Sequence, residues 1–112
     1  MVVLEDIYMT QKTWNGLSFF EQLSNVDGDV RRLVETHENY ISGNAAIDYS
    51  SKYLENIVKL IKMTMLDPKN SVKGYRFVEL YDEIEEIKRY ISGEVSGDYI
   101  LGYWDEYTKA IS

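Results

Sequence analysis

A chain of 112 residues, 45% apolar and 28% charged, has the size of one domain. It carries enough aliphatic and aromatic side chains to fold around a single core, alone or as a dimer, which excludes a disordered chain. Nineteen acidic against 12 basic residues give a formal charge of −7, so the molecule as a whole repels nucleic acid at long range. Zero cysteines and one histidine remove disulfides, thiolate zinc sites and cysteine nucleophiles, and they argue against the common zinc enzymes.

No apolar run approaches the roughly 18 residues of a membrane span, so no membrane partner is expected. The start, MVVLEDIYMT, has acidic residues where a signal peptide has a basic region, and a cytoplasmic location is expected. Residues 1–13 carry no clear period and read as a short helix or an arm. From Leu17 to about Ile41, the residues Leu17, Phe20, Leu23, Val30, Leu33, His37 and Tyr40 stay in helical phase, predicting one long helix. Gly28 is its weak point, and Asn25-Val26-Asp27-Gly28 is the place where it would break in two.

Ile47, Leu54, Val58, Ile61 and Met65, widened by Ile57 and Leu60, predict a second helix. Asp67-Pro68 ends it, because the residue before a proline avoids the helical region and proline donates no backbone bond. The stripe Phe77, Leu80, Ile84, Ile87, Ile91 predicts a third helix from near Ser71 to Ser92-Gly93, closed by a glycine in the left-handed region. The short connector LDPKNS makes these two an antiparallel hairpin. After Ser96-Gly97-Asp98, the residues Ile100, Tyr103, Trp104, Tyr107 and Ile111 predict a last helix with a largely aromatic buried face. No repeat and no strand-type alternation interrupts this pattern. The expected fold is therefore all-α, a four-helix antiparallel bundle with a short N-terminal arm in one domain, residues 1–112.

The sole histidine lies in RRLVETHENY, Arg31 to Tyr40. At about 100° per residue His37 stands almost above Val30 and points into the apolar stripe, while Arg32 stands about 140° round the helix from it. One reading is a core or interface histidine satisfied by a polar neighbour, with Arg31 pairing to Glu35. The other comes from Arg32, four residues, then His37, which resembles the arginine–histidine spacing of the HEPN family. That resemblance implies a small, often dimeric helical bundle and, in the nuclease members, metal-independent RNA cleavage at a dimer cleft. His37 would move protons, Arg32 would stabilise phosphate charge and Tyr40 would assist. The family's motif usually lies on a late helix with a polar residue after the arginine; here it lies on the first long helix and Leu33 follows. WNGLSFFEQLSNV, YISGN and DPKN also resemble small bacterial helical proteins of similar layout, which implies the helical fold and a bacterial or archaeal origin without a substrate.

Three further features carry alternatives. In ELYDEIEEIK the residues Glu79, Asp82, Glu83 and Glu86 share a helical face. Glu79-x-x-Asp82 resembles half of the acidic site of MazG-type nucleotide pyrophosphohydrolases, which hold magnesium with carboxylates from two adjacent helices. Against this stands a solvated face with pairs such as Glu85 with Arg89; no metal site or cofactor is assigned. Between Lys59 and Arg76 five basic residues, Lys59, Lys62, Lys69, Lys73 and Arg76, face one acid, Asp67, and would either complement helix ends or hold phosphate. Finally, Tyr99, Tyr103 and Tyr107 beside Trp104 are either core filling or a surface for a protein partner or second copy. The favoured reading is a non-enzymatic binding or accessory module in nucleic-acid or nucleotide processing, homodimeric or bound to a protein through its aromatic surface, with RNA or a nucleotide as a further partner.

Overall fold

In a computed structural model, the residues described are 10–111, the side chains of residues 71–81, 107, 108, 110 and 111 excepted. They form five helices: α1 (Gln11–Asn15), α2 (Phe19–Ile41), α3 (Ser50–Leu66), α4 (Gly74–Ile91) and α5 (Gly97–Ile111), with a 3₁₀ turn over Pro68–Lys73 between α3 and α4. The fold is all-helical, and no strand occurs among the described residues. The first nine positions of the expected arm lie outside the described residues. Its remainder enters α1, whose N-cap Thr10 accepts from Thr13 N.

Local sequence explains where α2 starts and stops. Ser18 accepts from Glu21 N at 3.1 Å while Glu21 accepts from Ser18 N at 2.9 Å, the reciprocal pairing of S-x-x-E that satisfies two otherwise orphaned donors. The Ser18 amide, and after it the Ser18 hydroxyl, hold the Glu21 carboxyl below its usual pKa. Helix α2 runs unbroken through Gly28. It closes at Gly43, φ +84°, with Asn44 N on Asn39 O at 2.8 Å and Gly43 N on Tyr40 O at 3.1 Å. Helix α4 closes likewise at Gly93, φ +89°, where expected, because a left-handed residue lets two following amides reach back to the last carbonyls.

The core is one cluster. Helix α2 supplies Leu23, Val26, Val30, Leu33 and Val34, α3 supplies Ile57, Leu60, Ile61 and Met63, α4 supplies Ile84, Ile87 and Tyr90, and α5 supplies Ile100 and Trp104, with Trp14 from α1. Four expected stripe members of α2 and α3 are corrected: Phe20, Tyr40, Ile47 and Met65 are exposed. Phe19, within about 20° of Val30 round the helix, packs against the core instead, whereas Phe20 falls on the flank. Ile47 precedes the first turn of α3. Among the described side chains of α5, Ile100 and Trp104 are buried, while Tyr99 and Tyr103 are exposed. The Phe77, Leu80, Tyr107 and Ile111 side chains lie outside the described residues.

Polar contacts fix how the helices meet. Gln22 on α2 reaches Asp67 after α3, Asn56 on α3 reaches Asp29 on α2, and His37 on α2 reaches Asp48 before α3. The early part of one helix therefore lies beside the late part of the other, so α2 and α3 run antiparallel. Around Asp67 the polar groups form a closed, buried set. Gln22 Nε2 donates to Trp14 O at 2.9 Å and Asp67 Oδ2 at 2.8 Å, and its Oε1 accepts from Asn70 Nδ2 at 3.0 Å. Asn70 also donates to Thr64 O at 3.2 Å, and Trp14 Nε1 donates to Thr64 Oγ1 at 3.0 Å. Burial raises the Asp67 pKa, but Lys69 and Gln22 outweigh it and hold the carboxyl below its usual range. Such a set, with each buried partner satisfied, ties α1, α2, α3 and the turn into one unit.

Candidate functional site

His37 is buried, as its phase predicts. Its Nδ1 lies 2.9 Å from Asp48 Oδ2, and its ring meets that of Tyr90 edge-on, centroids 5.0 Å apart and planes at 75°. Asp48 Oδ1 accepts from Ser50 N at 2.9 Å, placing a negative charge at the N-terminal end of α3, where helix amides favour it. Burial raises the Asp48 pKa; the Ser50 bonds and His37 outweigh it, so the carboxyl titrates below its usual value. Tyr90 donates from its hydroxyl to Glu38 Oε2 at 2.7 Å, with Val34 O 3.2 Å away. Burial, then the Glu38 carboxylate, push that phenol's pKa up. Thus α2, α4 and the α2–α3 connector converge on one imidazole, and Gly97 of α5 lies against the same place, a Cβ there standing 3.5 Å from Tyr90 Cε1.

Within the chain the structure does not bring Arg32, His37 and Tyr40 together. Arg32 is exposed and donates to Asp29 Oδ1 at 2.7 Å, on another face, and Tyr40 is exposed. Arg31 pairs with Asp27 and Asp105 rather than with the expected Glu35, because those carboxylates flank it from the preceding turn and from α5. The expected Glu85–Arg89 pair is likewise replaced: Arg89 binds both Glu86 oxygens, at 3.0 and 3.1 Å, and Lys88 pairs with Glu85. The acidic face is not uniformly solvated. Glu83 is buried between α4 and α5, with Asp82 and Glu85 exposed. Glu79's side chain lies outside the described residues, and among those described no group of three or more acidic or histidine side chains is placed to hold a metal ion.

Of the five basic residues, Lys59 and Lys62 are exposed on α3. Lys69 is engaged, donating to Asn15 O at 2.9 Å and to Asp67; the Lys73 and Arg76 side chains lie outside the described residues. Lys62 and Lys88, with Glu55 and Glu85, rim a groove of about 390 Å³ floored by Leu54, Val58 and Ile84. Tyr99 and Tyr103 stand one turn apart on α5, ring centroids 5.9 Å apart and planes at 49°. Both remain about 40% exposed. Burial and the Glu86 carboxylate raise the Tyr99 pKa, and burial and Glu83 raise that of Tyr103. Sequence reasoning missed Asp48, Tyr90 and Glu38 around His37. Each is a polar group whose partner lies on another segment, so no local period reveals it.

No family model, curated protein or solved structure matches this chain. No helix among the described residues is long and apolar enough to cross a membrane.

Proposed function

We propose that the chain is a four-helix antiparallel bundle, with α1 as an N-terminal appendage, acting in the cytoplasm as a non-enzymatic binding module that docks a protein partner through α5. One observation carries this reading: Tyr99 and Tyr103 lie side by side and open to solvent on the helix that buries Ile100 and Trp104. Rings that are half dry and half wet contribute large area at little entropy cost when a partner covers them. Three of the polar groups that suggested chemistry are engaged by carboxylates of the chain itself. His37 closes the α2–α3 connector, Arg32 is paired with Asp29 and Lys69 clasps Asp67. An accessory role in nucleic-acid processing is what the HEPN resemblance adds.

Site-specific photocrosslinkers test this directly. Placed at positions 99 and 103, they should give one discrete protein adduct, and at positions 59 and 62 none. Adducts to RNA at 59 and 62, with nothing at 99 and 103, would overturn the reading. A second reading, the metal-independent ribonuclease, is favoured by the Asp48 contact, which orients the imidazole and leaves Nε2 to exchange a proton. It requires a second copy to bring Arg32 to His37. His37→Gln would then abolish cleavage of short RNA in a folded protein, whereas in a binding module it lowers stability and there is no cleavage to lose.

A further inference from the structure

The negative charge of this molecule is concentrated in one part of it. Between Glu79 and Glu106 lie nine acidic and two basic residues, a net of −7. That equals the formal charge of the whole chain, so the remaining sequence is balanced. Taken whole, α4, α5 and their connector also include Arg76 and Lys109 and so carry −5 of the chain's −7, and the exposed tyrosine pair stands on α5. Asp82 and Glu106 are exposed on these two helices, and Glu83 is buried at their seam beside Tyr103. Arg89, on both oxygens of Glu86, is a cation already seated at one edge near Tyr99.

The chemistry of that surface is specific. An aromatic face carries negative potential above its plane, and a cation over it is stabilised more when neighbouring carboxylates add to the field. A phenol whose hydroxyl adjoins a carboxylate has a more electron-rich ring than a free phenol. Nucleic acid is repelled by the same field. A second copy meeting the same face across a two-fold axis would oppose this charge with its like.

We propose that the α4–α5 face receives a cationic segment of a partner protein, with arginine or lysine side chains laid over the Tyr99 and Tyr103 rings between the carboxylates. The proposal rests on the reading of α5 as the docking helix and adds the partner's chemical class. Long-range attraction between the acidic face and a basic segment speeds encounter, and the rings give the contact its place.

The test is amide-resonance mapping of the full chain with a short arginine-rich peptide and its glutamine-substituted counterpart, with light scattering alongside. The arginine peptide should shift resonances of α4 and α5 selectively and weaken as salt rises to roughly 0.3 M. The folded double variant Tyr99→Leu, Tyr103→Leu should bind it about tenfold more weakly. Equal binding by that variant would show diffuse attraction only and overturn the proposal. Equal binding of the glutamine counterpart on the same face would overturn the cationic class while leaving α5 as the docking helix. If neither peptide moves α4 or α5, both readings fall. A dimer lost on Tyr103→Arg would make the occupant a second copy and overturn it as well.

Discussion

Gln22→Leu tests the buried polar set most sharply, because leucine matches the volume of glutamine and removes only its hydrogen bonds. Gln22 is fully buried and makes three of them, to Trp14 O, Asp67 Oδ2 and Asn70 Nδ2. The two neutral bonds are worth about 1 kcal/mol each and the bond to the carboxylate about 1.5–3 kcal/mol. Asp67 keeps Lys69 and Asn70 keeps Thr64 O, and the new apolar side chain returns about 1 kcal/mol. The expected net loss is about 3 kcal/mol, a large part of the roughly 5–15 kcal/mol that holds a small domain together. Read by urea denaturation monitored with circular dichroism, it appears as a lower midpoint at unchanged slope, and in a thermal scan as a fall of roughly 10–20 °C. A loss below about 0.5 kcal/mol would refute the claim that this set fixes the junction of α1, α2 and α3.

Two glycines should respond in opposite directions. Gly28 lies inside α2, where an added Cβ would meet only Arg32 Nη1, at 3.7 Å, so Gly28→Ala should stabilise by about 0.5–1 kcal/mol. At Gly97 a Cβ would stand 3.1 Å from Val34 Cγ1 and 3.4 Å from Glu38 Cδ, so Gly97→Ala should cost about 1–2 kcal/mol; matched denaturation curves distinguish the two. For pH, Asp48 titrates below its ordinary 3.8 in the folded chain, so its contribution is present above about pH 4 and is lost as pH falls through the lower folded value. Asp48→Asn should therefore destabilise by about 1–2 kcal/mol at neutral pH, and its difference from the parent should shrink below about pH 4. A constant difference down to about pH 2 would contradict this.

Helix existence was legible in the chain itself. A period of three and four residues places apolar side chains on one face whatever the neighbours are, so α2, α3, α4 and α5 follow from spacing, and Gly93 and Asp67-Pro68 mark ends because backbone conformation there is a local matter. The S-x-x-E of Ser18 and Glu21 is equally local and sets the start of α2 at Phe19. The partner of each polar side chain was not readable. His37 shares its helix with Arg32, yet its partners are Asp48 and Tyr90. Arg31 has Glu35 within reach on its own helix, yet it takes Asp27 and Asp105. Phe19 rather than Phe20 enters the core by helical phase, but which aromatic residues of α5 stay wet depends on where a neighbouring helix covers them. Those choices are made by packing between segments far apart in the chain, and only the tertiary structure decides them.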